Sequence, residues 1–239
     1  MIALAFDTTT DRLSVAAGMP GGRVAVREAT GARKHASLLV TLALEALAEV
    51  GAGPGAVDTV VLADGPGGFT GLRVAAAWAK GFSRDRGLPV RTASTLLVRA
   101  ASARAEGRLV VGVGSALRNE LFVGGYRFTV GGVSTVLEPM VLASGAALPI
   151  WEPVDAVVGD LPEADLRRWP FVGSSLVIGT PHGLPEAARL IELLDVPGGT
   201  RLVEDVGRWE PIYGRPAEAQ AKWERTHGRT LPNSAGQPG

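Results

Sequence analysis

The sequence contains no cysteine, and this absence excludes disulfide-stapled folds, thiolate zinc sites and cysteine nucleophiles. It also lacks an uninterrupted apolar run of about 18 residues, the length that a membrane-spanning helix needs. The opening residues, MIALAFDTTTDR, have no basic segment before the apolar run, which Asp7 interrupts. We therefore expect no signal peptide and a cytoplasmic protein.

An excess of either charge is missing too, because 24 Lys and Arg residues balance 24 Asp and Glu residues. Proteins that bind nucleic acid unaided present strongly basic surfaces, so direct binding by this chain alone is not favoured. Apolar residues make up 46% of the 239 residues, enough for a substantial core. That length is typical of two small domains that share a cleft.

A pattern of apolar runs occurs twice along the chain. The first occurrence predicts three meander strands, then helix, strand, helix, strand and helix, over residues 2–6, 13–18, 23–29, 36–50, 57–63, 69–87, 88–94 and 95–107. The second is less regular and predicts strands and one helix over residues 109–116, 120–128, 132–139, 154–160 and 184–199. The repetition predicts a duplicated α/β fold with two lobes, in which helices flank mixed sheets.

The repetition also sets the expected domain boundaries. Residues 1–106 form the first lobe and residues 107–216 a degraded second lobe. Residues 217–239 form a tail with a short helix over 217–225, and the last ten or so residues have the composition of a disordered segment.

Between a buried strand and a helix lies the glycine-rich segment DGPGGFTGLR, residues 64–73. Such a loop can bind phosphate through backbone N–H groups at a helix start, or can be a tight turn in which glycine fits the dihedral angles. It is not a Walker A motif. The candidate phosphate or nucleotide residues in it are Gly65, Gly67, Gly68, Thr70 and Arg73.

A second candidate is the segment FDTTTDRLSVA, where Asp7 and Thr8 end the first strand. An Asp at this place can hold a metal-bound water, whereas an Asp-Thr turn can simply make local hydrogen bonds. The histidines have no second ligand at helical spacing, so we expect no metal site; they are His35, His182 and His227.

The helices over 36–50 and 69–87 carry more apolar surface than one face needs. On the first, polar residues form a single stripe and apolar residues fill an arc of about 200°, whereas a surface helix needs about 100°. The excess predicts a partner interface, and the alternative is that both helices are enclosed within one compact domain. The predicted interface residues are Leu38, Leu39, Leu42, Ala43, Ala46, Leu72, Ala75, Ala76, Ala79 and Lys80.

Together these segments resemble the bacterial TsaB family, in the family's order and over nearly the whole chain. The resemblance rests on FDTTTDRLSVA, KHASLLVTLALEAL, DGPGGFTGLRVAAAWAKGF, TASTLLVRAA and PIYGRPAEAQAKWERTHG, of which GPGxFTGLR is the most specific. It implies the ASKHA architecture, the duplicated fold of actin and hexokinase.

The resemblance further implies a non-catalytic scaffold. Such a subunit pairs with the catalytic TsaD, or with a second copy, and works with the ATPase TsaE to transfer a threonylcarbamoyl group to a tRNA adenosine beside the anticodon. Contact with tRNA is then indirect, and ATP and metal are used through TsaD and TsaE rather than bound by this chain alone.

Departures from related patterns favour the non-catalytic interpretation. The metal-binding histidines of the TsaD sister family fall near Thr95 and Arg99, and Arg99 would repel a cation. The family's usual Asp-Ala-Arg is Ser115-Ala116-Leu117, and its usual loop Ser is Gly68. Two alternatives remain open: an ASKHA phosphotransferase that uses Asp7 and the glycine loop, and an M22-like glycoprotease.

Overall fold

The computed structural model describes residues 1–31, 35–116, 119–215 and 226–228. The helix predicted over 217–225 lies outside these residues. Among the described helices, none is long and apolar enough to cross a membrane.

Two mixed sheets form the framework of the protein. The strands of the first half are β1 (Ile2–Asp7), β2 (Arg12–Gly18), β3 (Val24–Thr30), β4 (Val57–Ala63) and β5 (Val90–Ala93). Those of the second half are β6 (Leu109–Ser115), β7 (Leu121–Thr129), β8 (Gly132–Leu142), β9 (Ala156–Gly159) and β10 (Leu176–Ile178), and β11 (Arg201–Leu202) follows. The first sheet has the order β11-β5-β4-β1-β2-β3 and the second β10-β9-β6-β7-β8. The two orders are the same apart from β11, which confirms the predicted duplicated α/β fold.

Five helices are described: α1 (His35–Glu49), α2 (Phe69–Arg84), α3 (Thr95–Ala100), α4 (Glu163–Leu166) and α5 (Ala187–Leu193). Helices α1 and α2 pack on the outer face of the first sheet. Helices α3 and α5 lie between the two sheets, and α4 with its neighbouring loops covers the outer face of the second. Gly51 (φ +74°) and Gly87 (φ +61°) follow α1 and α2 in the left-handed conformation that often ends a helix.

The side chains of strand β1 pack on both faces of its sheet. Side chains alternate between faces along a strand. Leu4 and Phe6 face α1 and α2, while Ala3 and Ala5 face the interlobe core. The small alanines leave room for α5 to pack closely on β1.

The two helices between the sheets are exchanged between the halves. Helix α3 of the first half packs on β6 and β7, and α5 of the second half packs on β1 and β2. The exchange is tied by hydrogen bonds: the Ala187 N–H donates to Ser14 Oγ (3.0 Å), and the Tyr126 hydroxyl donates to Ser94 Oγ (3.1 Å). The lobes therefore share one core.

The structure departs from the sequence expectations in the second half. The helix predicted over 184–199 is shorter, because Glu186 is still extended and the helix begins at Ala187. Helix α4 and strand β10 lie where no element was predicted. Strand β11 falls inside the predicted second lobe but pairs with β5, and Val203 and Ile212 also bond to the first lobe.

Candidate functional site

The glycine loop connects β4 to α2 and packs against the turn after β1. The Gly68 N–H donates to the Thr9 carbonyl oxygen (2.8 Å), and Thr8 Oγ1 donates to the Gly71 carbonyl oxygen (2.8 Å). A Cβ added at Gly67 would lie 2.6 Å from the Thr9 Cβ, and one at Gly71 would overlap the Thr8 carbonyl oxygen. These glycines therefore allow two backbone segments to meet.

The other side of the loop is covered by the segment after β11, which we call the strap (residues 203–215). The Ile212 N–H donates to the Asp64 carbonyl oxygen (2.7 Å), and a Cβ at Gly65 (φ +113°) would overlap the Ile212 carbonyl oxygen. The Tyr213 ring lies 4.5 Å from the Phe69 ring, measured between centroids. The strap thus lies where a ligand would approach Gly65.

Asp64, the first residue of the loop, is bound to the strand that precedes the strap. Its buried carboxylate forms an ion pair with Arg201 of β11. Burial raises the pKa of Asp64, and the charge and hydrogen bond of Arg201 act in the opposite direction. Asp64 is therefore engaged by its own chain.

Among the predicted phosphate residues, only some are accessible. Gly68, Thr70 and Arg73 are exposed, whereas Thr8 and Gly65 are buried. The Arg73 guanidinium lies over the Phe69 ring, 5.3 Å from its centroid. Phosphate binding at the loop stays a prediction, but packing alone accounts for Gly65 and Gly67.

Asp7 is fully buried at the end of β1. Its Oδ1 accepts hydrogen bonds from the Thr9 N–H (2.9 Å) and hydroxyl (2.8 Å), while Oδ2 has no hydrogen-bond partner in the described part of the chain. Burial raises the pKa of Asp7, and the Thr9 bonds and the charges of Arg99 and Arg12 oppose this shift. Within the described residues, no three His, Asp or Glu side chains come together as a metal site.

The positions compared with the TsaD histidines lie in the shared core. Thr95 and Arg99, both on α3, are 0% and 2% exposed. Arg99 Nη2 donates to Asp160 Oδ2 (2.9 Å). A positive charge from the protein itself thus lies in the core shared by the two lobes.

Most of the predicted interface residues are buried within the chain itself, and their role in pairing stays a prediction. Seven of them lie in the core of the first lobe, where α1 and α2 bury them against the sheet and each other: Leu39, Ala43, Ala46, Leu72, Ala75, Ala76 and Ala79. Leu38 and Leu42 are half-buried against the same core. Lys80 forms an ion pair with Glu210 of the strap (3.1 Å). The periodicity predicted which arc is apolar, but not how much of it the same chain covers.

The acidic stripe of α1 is also occupied within the chain. Glu45 and Glu49 pair with Arg27 of β3. An apolar stripe one position away from the polar one also faces outward on α1. It consists of Ala36, Val40, Leu44 and Ala48.

Some residues of the site were missed from the sequence. Ile212 and Asp160 lie in segments that the sequence analysis identified, but no local pattern indicates which distant residues they contact. Val40 and Leu44 belonged to the predicted apolar arc of the first helix. Their positions beside the polar stripe, at a spacing of four residues, could have distinguished them from the buried residues of the arc.

Comparisons with known proteins agree with this fold. Residues 26–174, more than half of the chain, match the family model described as TsaD: tRNA N6-adenosine threonylcarbamoyltransferase. A Bacillus subtilis protein named tRNA threonylcarbamoyladenosine biosynthesis protein TsaB is 29% identical over 237 residues, covering 93% of this chain and 98% of that one. A Haemophilus influenzae protein of the same name is 37% identical over 100 residues, which is 42% of each chain.

Two solved structures share the architecture. YeaZ from Pseudomonas aeruginosa matches with a TM-score of 0.73 at 27% identity, covering 89% of this chain and 99% of that one. A structure described as an uncharacterized protein with similarity to peptidase YeaZ from Pseudomonas aeruginosa matches with a TM-score of 0.74 at 27% identity, covering 90% and 99%.

The repeated strand order and the similarity to these structures define a two-lobed α/β protein of the ASKHA type. The chain belongs to the family of the TsaD model and, within it, to the TsaB (YeaZ) family. The resemblance found in the sequence is thereby confirmed.

Proposed function

We propose that this chain is a non-catalytic subunit in the N6-threonylcarbamoylation of the adenosine next to the tRNA anticodon. It pairs with a TsaD-like catalytic subunit and acts with a TsaE-like ATPase in the cytoplasm. The names of the Bacillus and Haemophilus relatives support the pathway. In this proposal ATP and metal are bound through the partners, and contact with tRNA is indirect.

The observation that carries the pairing proposal is the outward face of α1. Val40 and Leu44 are 47% and 46% exposed, one helical turn apart. Beside α1, the helix α2 presents the small residues Ala77 and Gly81 to solvent. Since both helices lie in one layer on the first sheet, their outward faces form a single surface. An apolar stripe next to small residues suits the close packing of further helices.

The glycine loop supports a non-catalytic role. A phosphotransferase needs backbone N–H groups of such a loop free to bind phosphate. Here the Gly68 N–H is bound to Thr9, and the strap lies over Gly65. No observation in the described residues favours the glycoprotease, which needs a metal or a nucleophile with its base.

The test of pairing introduces a charge on the outward face. We expect Val40→Glu and Leu44→Glu to weaken binding to the TsaD-like protein of the same organism at least about tenfold, because an unpaired charge would be buried at the interface. Val130→Glu is the matched control, since Val130 is 93% exposed in the turn between β7 and β8. Binding is measured by calorimetry, and melting curves establish that each variant is folded.

Normal binding by both α1 variants would remove the pairing surface from the proposal. Analytical ultracentrifugation of the chain alone tests whether it forms a homodimer through the same face. The pathway is tested by reconstitution: tRNA modification by the TsaD-like and TsaE-like proteins should require this chain. Hydrolysis of ATP or peptide by the purified chain alone would contradict the non-catalytic role.

A further inference from the structure

Arg99 is the largest fully buried side chain in the described residues. It projects from α3 into the carboxyl ends of β6 and β9 of the second half. Its Nη2 donates to Asp160 Oδ2 (2.9 Å), and its Nη1 donates to the carbonyl oxygen of Val113. One guanidinium therefore contacts a residue of β6 and the residue that directly follows β9, two neighbouring strands in the sheet of the second lobe.

The partners of Arg99 are themselves held in place. Asp160 follows β9 directly, and its second oxygen, Oδ1, accepts a hydrogen bond from the Ser115 N–H (2.8 Å) at the end of β6. Asp160 thus connects the ends of two neighbouring strands and presents its remaining oxygen to Arg99. The side chains of Arg99 and Asp160 are 2% and 15% exposed, so the pair is largely shielded from solvent.

The backbone around the guanidinium is shaped to receive it. A Cβ at Gly114 would come within van der Waals overlap of Arg99 Nη1. The second half thereby provides a carboxylate, a carbonyl oxygen and, at the glycine, space for the guanidinium, all in one place. Arginine presents its donors in a rigid planar fork, which suits such a set of fixed acceptors.

Further polar groups lie near this side chain. Arg99 Nε and the hydroxyl of Thr95, one turn earlier on α3, are buried without hydrogen-bond partners in the described residues. The charge of Arg99 also acts on the buried carboxylate of Asp7 in the first lobe. Arg99 thus pairs with the carboxylate of Asp160 in the second lobe, and its charge also lowers the pKa of Asp7 in the first.

We propose that Arg99 is a resident cation that locks the two lobes, and that Asp160, the Val113 carbonyl and Gly114 form a guanidinium site in the second lobe. The lobe junction of this chain is then held by a charge that is part of the chain. The proposal concerns the isolated chain and does not depend on its pairing with any partner.

The test removes the guanidinium group by substitution and then adds guanidinium ion to the solution. We expect Arg99→Gly to lower the melting temperature by roughly 10 °C, because it leaves the largely buried carboxylate of Asp160 without its partner. Guanidinium chloride at non-denaturing millimolar concentration should restore part of this loss. Equal concentrations of sodium chloride or urea should not. Arg99→Lys should give an intermediate melting temperature, because it keeps the charge but loses the planar fork.

Arg86→Ala is the matched control. Arg86 also donates two hydrogen bonds to main-chain carbonyl oxygens, those of Pro54 and Val57, but lies at the surface. Guanidinium should not stabilise this variant more than sodium chloride does. An Arg99→Gly protein that melts like the wild type, or that responds to guanidinium no better than Arg86→Ala, would overturn the proposal.

A second pair of measurements serves if Arg99→Gly does not fold. Arg99→Met and Asp160→Asn should each be destabilising, and the double variant should be no less stable than the worse single variant, because neither charge is then left alone. In Asp160→Asn, hydrogen exchange should speed up at the ends of β6 and β9 but not in α1. Additive losses, or uniform exchange throughout the chain, would contradict the lock.

Discussion

The main-chain N–H of Ile212 donates a hydrogen bond to the carbonyl oxygen of Asp64, and the carbonyl oxygen of Ile212 lies against the face of Gly65. A residue of the strap is thereby fitted to the first two residues of the glycine loop. The loop resembles a phosphate-binding turn in sequence, yet in the fold it packs against another segment of the same chain. The relationship explains the glycine at position 65 by packing and leads to a direct test.

Gly65→Ala should be far more destabilising than a glycine replacement at another left-handed position. We expect a loss of about 3 kcal/mol, from the unfavourable positive φ and from overlap with Ile212. Gly51→Ala is the control, because Gly51 also has a positive φ but has open space around it. Its loss should be about 1 kcal/mol. Urea unfolding measures both, and equal losses would show that the strap does not constrain the loop.

Asp7→Asn should stabilise the protein increasingly as pH rises. Burial raises the pKa of Asp7 above its ordinary value of 3.8. The folded state therefore holds the proton more tightly than the unfolded chain. The stability that this proton confers is complete below the unfolded pKa and is lost as pH rises through the raised folded pKa.

Asn cannot ionise and keeps an oxygen for the two hydrogen bonds from Thr9. The melting temperature of Asp7→Asn relative to wild type should therefore increase as the pH rises above the ordinary pKa of an aspartate. Melting curves at several pH values measure this. A difference that stays constant with pH would mean that Asp7 does not titrate as inferred.

Partner binding and tRNA modification should fall only modestly in Asp7→Asn if Asp7 is not part of a working site.

The same substitution should have very different effects on stability at two leucines of the same helix. Leu39 is 1% exposed and Leu44 is 46% exposed, although both were part of one apolar arc in the sequence. We expect Leu39→Ala to cost about 2–5 kcal/mol of unfolding free energy and Leu44→Ala less than about 0.5 kcal/mol. In partner binding we expect the reverse order: only Leu44→Ala should weaken binding while leaving the fold intact. Similar stability losses would mean that α1 is packed differently.

The exchanged helices can be tested at one hydrogen bond. Ser14→Ala removes the acceptor of the buried Ala187 N–H, which should cost about 1–3 kcal/mol. Ser134→Ala, at an exposed position of β8, is the control and should be nearly neutral. Hydrogen exchange should become faster at the start of α5. Unchanged protection there would show that Ser14 does not hold this helix.

Local patterns predicted a large part of the fold. The apolar runs of the two meanders and of the helices over 36–50 and 69–87 predicted strands and helices that the structure confirms. These features depend on residues near each other in the chain, so their signals survive in the sequence. Short elements such as β10 and β11 were missed, because two or three residues carry too little periodicity to be recognised.

The candidate site was less predictable. The glycine loop and Asp7 were recognisable as motifs, but their partners were not. Asp64 meets Arg201 across 137 residues of sequence, and Arg99 meets Asp160 across 61. Ion pairs at such separations leave no spacing rule, because only the packing of the two sheets brings the segments together.

The sequence by itself determined the duplicated order of strands and helices and the family, since both depend on local periodicity and on contiguous motifs. The tertiary structure decided which apolar residues of α1 stay outside, that the strap covers the glycine loop, and that Arg99 joins the two lobes. These outcomes depend on how much of each surface distant segments of the same chain bury, and that quantity is defined only when the whole chain is folded.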